Sequence, residues 1–322
     1  MTIVKDRKVF ILLAILMVLT GCSEKGFTPI NHHQSFVGAV NIVEPAVSFY
    51  DPSGEKIATW KFEKAYTGAV LIQNDQILMY GHELNEADLY QLSNGKKKAT
   101  IETGVGTTNA YYDKENQLFF ITNSANNTVT SYDLNGKKLN QTKLGNYPMS
   151  MASHDGKLYV VNYKDTVLSV LNMKTLEVEQ VWEIDKSSNG IVVVPENNSI
   201  WIGGHGEGSQ PNQTVDIYDL HTGKNIGVLE AAFMPIGFAK SDHEVYIVNH
   251  GSNELVVTNL SGEVLWHIEV GANPFSVTYI RDQIVVAGYD DSKVYFIRNG
   301  KIEKEIETNK GPFQLLVREV GT

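Results

Sequence analysis

From residue 36 onward the chain carries short apolar runs such as Leu158-Tyr159-Val160-Val161 and Val245-Tyr246-Ile247-Val248, and stretches that alternate apolar and polar positions, such as Trp60-Lys61-Phe62, Trp182-Glu183-Ile184 and Trp266-His267-Ile268. That is the period of two expected of strands, and the i, i+3, i+4 stripe of an amphipathic helix is missing. One pattern, an apolar strand ending on a turn residue and usually followed by Gly, recurs along the chain. It reads Phe49-Tyr50-Asp51 to Gly54, Leu89-Tyr90-Gln91 to Gly95, Ser131-Tyr132-Asp133 to Gly136, and Val170-Leu171-Asn172. It continues as Ile217-Tyr218-Asp219 to Gly223, Val257-Thr258-Asn259 to Gly262, and Phe296-Ile297-Arg298 to Gly300. Counted from the middle residue of each copy, the seven copies are spaced by 40, 42, 39, 47, 40 and 39 residues. A period near 40 with four strands per unit predicts propeller blades.

Each unit divides into four strands. The innermost, a, reads Ser150 to Ser153 or Pro274 to Tyr279; b is the apolar run quoted first; c is the repeated anchor; and d carries Trp60, Trp182 or Trp266. These tryptophans are expected to pack between blades, where each buries up to about 250 Å². Asp155-Gly156, Asn135-Gly136 and Asn299-Gly300 are turn dipeptides at the expected strand junctions. The first unit starts at strand b (residues 36–41) and lacks a strand a, while residues 311–317 form a surplus strand at the other end. Joining the two closes the ring and removes an open sheet edge. The expected fold is therefore all-β, a seven-bladed β-propeller of four-stranded antiparallel sheets closed by its N- and C-terminal strands over residues 35–322.

Ahead of this repeat the chain changes character. Lys5, Arg7 and Lys8 precede an apolar run from Val9 to Leu19 that ends in Leu19-Thr20-Gly21-Cys22. A charged start, a short apolar stretch and small residues have the anatomy of a secretory signal, and eleven apolar residues are too few for a membrane helix of about 20. The Leu-Thr-Gly-Cys string resembles the lipobox of bacterial lipoproteins. That resemblance implies a signal peptide over 1–21, acylation of Cys22 as the first mature residue, and an extracytoplasmic, membrane-anchored protein. Cys22 is the sole cysteine, so no disulfide is expected to support the fold. Residues 22–34 are polar and aperiodic and are expected to form a tether.

The 27 basic residues less three, and the 37 acidic less one, leave the mature chain a formal charge near −12. Such a surface repels polyanions, so nucleic acid is not an expected partner. Tyr159-Val160-Val161-Asn162, Tyr246-Ile247-Val248-Asn249 and Phe120-Ile121-Thr122-Asn123 resemble the Tyr-Val-Thr-Asn signature of the YVTN-type propeller repeat family. Gly145-Asn146-Tyr147-Pro148 and Gly271-Ala272-Asn273-Pro274 are similar to its Gly-x-x-Pro lead into strand a. Met79-Tyr80-Gly81-His82 and Ile202-Gly203-Gly204-His205 depart from the signature. The resemblance implies a surface or periplasmic propeller with a binding role and names no ligand.

Function is sought in the loops, since one scaffold hosts many activities. Aligning the ends of the b strands places His82, Asn123, Tyr163, His205, His250 and Tyr289 around one mouth of the channel, on the face of the b–c and d–a loops. This is the candidate ligand-binding ring, with an envelope protein, a peptide or a small molecule as the expected partner besides the membrane. A Zn²⁺ site would use such imidazoles. However, His154, His221 and His243 fall on the opposite face, and no metal ligand is assigned. Residues 203–213 lengthen one unit to the 47-residue spacing and add an insertion on the same face as the ring. No nucleophile elbow or zinc-protease spacing occurs, no catalytic residue is assigned, and no cofactor is legible. The principal alternative is a propeller-fold enzyme, resembling sugar-lactone hydrolases or metal-dependent, with its site at the same mouth. A second is a helper in envelope-protein assembly that takes up a partner's strand at a blade edge. A monomer is expected.

Overall fold

The computed structural model describes residues 26–207 and 209–321, so Cys22 and the leader lie outside the described residues. Seven four-stranded antiparallel sheets surround a common axis, and among the described residues the only helical element is a single 3-10 turn, Pro195–Asn197. The ring closes as the repeat predicts. Pro312–Arg318 serves as strand a of blade 1 and pairs with Phe36–Asn41, which pairs with Ala46–Tyr50, which in turn pairs with Lys56–Lys61.

The alternation of the b strands explains why the blades stack. In strand Glu244–Asn249, Val245 and Ile247 join the apolar cluster with blade 5, while Tyr246 and Val248 join the cluster with blade 7. Both faces of an inner strand are thus apolar, and seven such clusters occupy the seven blade interfaces. The d-strand tryptophans contribute as expected. Trp182 fills the space where a Cβ on Gly223 of the next blade would sit, 2.4 Å from its indole, and Gly223 also holds φ +66°. A side chain at Gly223 is excluded on both counts.

The loop that joins blade 1 to blade 2 adds a polar contact. Asp88, fully buried on strand Glu86–Gln91, receives hydrogen bonds from Lys64, Tyr66 and Thr100. Burial alone would raise its carboxyl pKa, but these donors outweigh that effect and hold it below the usual carboxylate range.

Two findings modify the sequence expectation. Within the residues 22–34 expected to form a tether, the described part is docked. Phe27 stacks on Trp60 at 4.9 Å between ring centroids, its N–H donates to the Gly95 carbonyl at 2.8 Å, and Ile30 is fully buried. An aromatic and an aliphatic residue in a polar stretch find an apolar groove between blades 1 and 2 that local sequence cannot announce. The closing strand also runs one residue further than expected, to Arg318, whose side chain is buried. Its guanidinium donates to the carbonyls of Asn31, Gln34 and Asn74 and lies 4.5 Å from the Phe36 ring. Arg318 thereby joins both chain ends to blade 2. Leu315 and Leu316 are the buried aliphatics of this strand, whereas Phe313 and Val317 are only half-buried.

Cutting the chain after Lys310 should abolish cooperative thermal unfolding. The buried leucines contribute about 1.5–3 kcal/mol each and each carbonyl orphaned by loss of Arg318 costs about 1–3 kcal/mol, against a domain stability of about 5–15 kcal/mol. A truncated chain with an unchanged melting temperature would show that closure is dispensable. Asp88→Ala should cost about 3 kcal/mol in denaturant unfolding, the low end for a broken buried ion pair because the Lys64 side chain is 35 % exposed.

Candidate functional site

One backbone device builds the mouth. In six blades the residue after strand b donates its N–H to the carbonyl of the residue before strand a. The pairs are Ile42 to Gly311, Ser124 to Gly106, Tyr163 to Tyr147, His205 to Ser187, His250 to Met234, and Tyr289 to Asn273. All six acceptor residues hold positive φ, between 58° and 98°. In blade 2 the N–H of His82 bonds the Thr67 hydroxyl instead. Holding a non-glycine residue left-handed costs roughly 1–2 kcal/mol, and the repeated hydrogen bond offsets it. Four of the six acceptors precede a proline, Pro148, Pro235, Pro274 or Pro312. The Gly-x-x-Pro lead is thus the sequence trace of this turn.

The device fixes which side chains share the ring. Five of the six expected residues occupy it: His82, Tyr163, His205, His250 and Tyr289. The sixth, Asn123, sits one position too early and is buried. Its amide donates to the carbonyls of Thr103 and Val105, and its oxygen accepts from the N–H groups of Ala125 and Asn126. Its equivalents Asn162 and Asn249 are buried in the same way, clamping the b–c turns through Val167 and Glu254. The signature asparagine is therefore a turn clamp. Ser124 takes the ring position in blade 3, its Oγ 3.2 Å from His82 Nε2.

Side by side, the half-buried rings form an unbroken arc. Centroid separations are 4.8 Å for Phe313–Phe275, 4.3 Å for Phe275–His250, 5.7 Å for His250–His205, and 5.9 Å for His205–Tyr163. The arc continues through Tyr163–Tyr147 at 5.9 Å and Tyr147–His82 at 6.3 Å, with Tyr289 beside Phe275 at 5.4 Å. All but the tighter Phe275–His250 contact lie within the range of about 4.5–7 Å for interacting aromatic pairs. Tyr147, Phe275 and Phe313 were missed in the sequence, although each directly adjoins a proline that opens strand a, and that adjacency was the available signal.

Electrostatically the middle of the arc is neutral. Burial lowers the pKa of His205, and the charge of His250 lowers it further; burial likewise lowers His250, against the opposing influence of Asn273 and Asp290. The buried Nδ1 of each imidazole has no hydrogen-bond partner. Among the described residues no three His, Cys, Asp or Glu side chains are grouped to hold a metal. Behind the mouth the axial cavity is small, about 190 Å³, and is lined by hydroxyl, amide and apolar groups including Ser150, Asn109, Ile236 and Phe275. The insertion folds as a miniature hairpin, Gly206–Glu207 against Gln210–Pro211, with Glu207 paired to Lys186. It borders a polar cavity of about 380 Å³ that also contains Asp185 and Asp216. Burial and then the neighbouring Asp185 raise the Asp216 carboxyl above its usual range.

No family model matches this chain, and no curated protein matches it. Solved structures of the same fold do. One is a functionally unknown protein from Desulfotomaculum acetoxidans, with a TM-score of 0.75, 11% identity, and coverage of 88% of this chain and 98% of that one. The dihydro-heme d1 dehydrogenase NirN in complex with DHE gives 0.65 at 14% identity, covering 87% and 64%. BamB from Moraxella catarrhalis gives 0.59 at 13%, covering 89% of each. The chain is a seven-bladed β-propeller. At such identities these likenesses establish the fold alone, and proteins of quite different names share it.

The two imidazoles make stability pH-dependent in a defined direction. Unfolding returns them to about 6.5, so below that pH the unfolded chain takes up protons that the folded chain refuses, and stability falls until the lower folded pKa values are passed. His205→Phe with His250→Phe should reduce the loss of melting temperature between about pH 7.5 and about pH 5.5. An identical loss in parent and variant would remove the imidazoles from that response.

Proposed function

We propose that this protein is a lipid-anchored, extracytoplasmic binding module that engages an organic or peptide ligand across the arc from Phe313 to His82. The observation that carries the reading is the arc itself: seven half-buried rings in continuous edge and face contact at one mouth of the channel. Rings so placed offer a ligand apolar area at low conformational cost. The imidazole and phenol side chains of the arc add polar groups that would fix its orientation. A ligand with a flat apolar face and one or two polar edges fits this chemistry.

The anchor follows from the resemblance of Leu19-Thr20-Gly21-Cys22 to a lipobox, and the YVTN-type family resemblance supports a place at the envelope. Among the residues lining the axial cavity none is an acid or a base. This favours binding over the hydrolase alternative, which needs a proton-transfer group beside its substrate.

Two experiments test the reading. Cys22→Ser should move the protein from the membrane to the soluble fraction with its melting temperature intact, and continued membrane association would argue against the acyl anchor. Photo-cross-linking in intact cells should yield a defined adduct through the mouth, and His205→Ala with His250→Ala should abolish it. An adduct of unchanged yield in that double variant would return both histidines to a structural role.

A further inference from the structure

We infer that the docked N-terminal segment and a neighbouring strip of lysines hold the bottom rim of blades 2 and 3 against an anionic bilayer surface, directing the aromatic mouth away from it. The inference rests on the acyl anchor proposed above and adds an orientation and a second contact surface to it.

The first observation is the course of residues 26–34. From Arg318 near the axis, residues 34 back to 27 run along the groove between blades 1 and 2. The Ile30 N–H bonds the Leu92 carbonyl, the Phe27 N–H bonds Gly95, and the Trp60 indole N–H donates to the Thr28 carbonyl at 2.9 Å. Phe27 is enclosed by Trp60, Phe62 and Tyr90. Gly26 then lies on the c–d turn of blade 2, where a Cβ would be 3.1 Å from the Gly95 carbonyl oxygen and 3.2 Å from Lys96 Cγ. Only four peptide steps separate Gly26 from Cys22, a reach of at most about 14 Å. A tether free from residue 22 to residue 34 would allow about three times that span and any orientation. With residues 27–34 docked, an acylated Cys22 keeps this rim at the headgroups. The c–d turns and the mouth are on opposite faces, about 20 Å apart along an inner strand.

The second observation is the charge at that rim. Lys96, Lys97 and Lys98 begin the outer strand of blade 2, Lys138 begins that of blade 3, and Lys137 precedes it in the turn, all exposed. Asp75 and Asp133 lie beside them, held by turn hydrogen bonds from Ser93 and Gln91 and from the N–H groups of Asn135 and Lys137, and Asp88 pairs with Lys97, so the positive charge of the rim is the excess of five lysines over these three carboxylates. In a mature chain of formal charge near −12, this excess of lysines beside the docked N-terminal segment forms a local patch of opposite sign. Basic residues next to a membrane anchor are drawn to anionic lipid, by about fivefold in affinity per residue.

The test uses the full-length acylated protein in vesicles of phosphatidylcholine and phosphatidylglycerol, with an energy-transfer acceptor on the lipid headgroups. Donors are attached one at a time to Asn135→Cys on the bottom face and Asp290→Cys on the top face. Transfer from position 135 should exceed that from position 290 several-fold. Phe27→Ala should bring the two together, and Lys96→Glu with Lys98→Glu should reduce the excess. Equal transfer from both positions in the parent, with the protein still floating with the vesicles, would overturn the orientation and leave the anchor standing. An excess untouched by the charge reversal would overturn the role of the lysines. Failure of the parent to float with the vesicles would overturn the anchor itself.

Discussion

Everything in this molecule depends on pairing residues far apart in the sequence, Phe36–Asn41 with Pro312–Arg318. Every other blade is built from consecutive strands and forms by local hairpin pairing. Blade 1 alone needs both ends of the chain, and without its inner strand two of the seven interfaces lose their inner apolar residues. Arg318 reinforces this join. Its three hydrogen bonds go to carbonyls rather than a carboxylate, so they are directional and tie the closing strand to the N-terminal segment and to blade 2 together.

The mouth inherits its order from the same closure. Because each left-handed residue before strand a accepts from the residue after strand b, the two inner strands of a blade end level with one another. Adjacent blades then present their ring residues at nearly equal separations. The arc of aromatic and imidazole rings is therefore a product of backbone register, and the position after strand b differs freely in side-chain type from blade to blade: Ile42, Ser124, Tyr163, His205 and Tyr289 all occupy it. A scaffold that fixes position and leaves identity open is suited to binding, since recognition can change without loss of the fold.

The two ends of the blades have different characters. The mouth is neutral and aromatic at its centre, with charges at its margin: Glu83 on His82, Lys164 over Tyr147, and Asp290 on the side of His250. The opposite rim gathers lysines beside the docked segment. Trp60 links this asymmetry to packing, since it is at once an inter-blade residue and the platform on which Phe27 lies.

Much of the fold was legible because strand period, repeat spacing and turn chemistry are local properties, written in residues such as Asp155-Gly156 and the d-strand tryptophans. The candidate ring was legible to within one residue in one blade. Counting from strand ends placed Asn123 on it, because an asparagine that clamps a turn and a residue that faces the mouth look alike when register is unknown. Phe275, Phe313 and Tyr147 reached the site through strand a, and Phe27 reached Trp60 from a stretch whose composition reads as linker. By itself the sequence determined the number of blades, the alternation that packs them and the need for closure, since these follow from period and count. Only the tertiary structure decided which side chains meet at the mouth and that the chain's first described residues belong to the body of the protein. Those contacts are made between blades, where separation along the chain carries no information about distance in space.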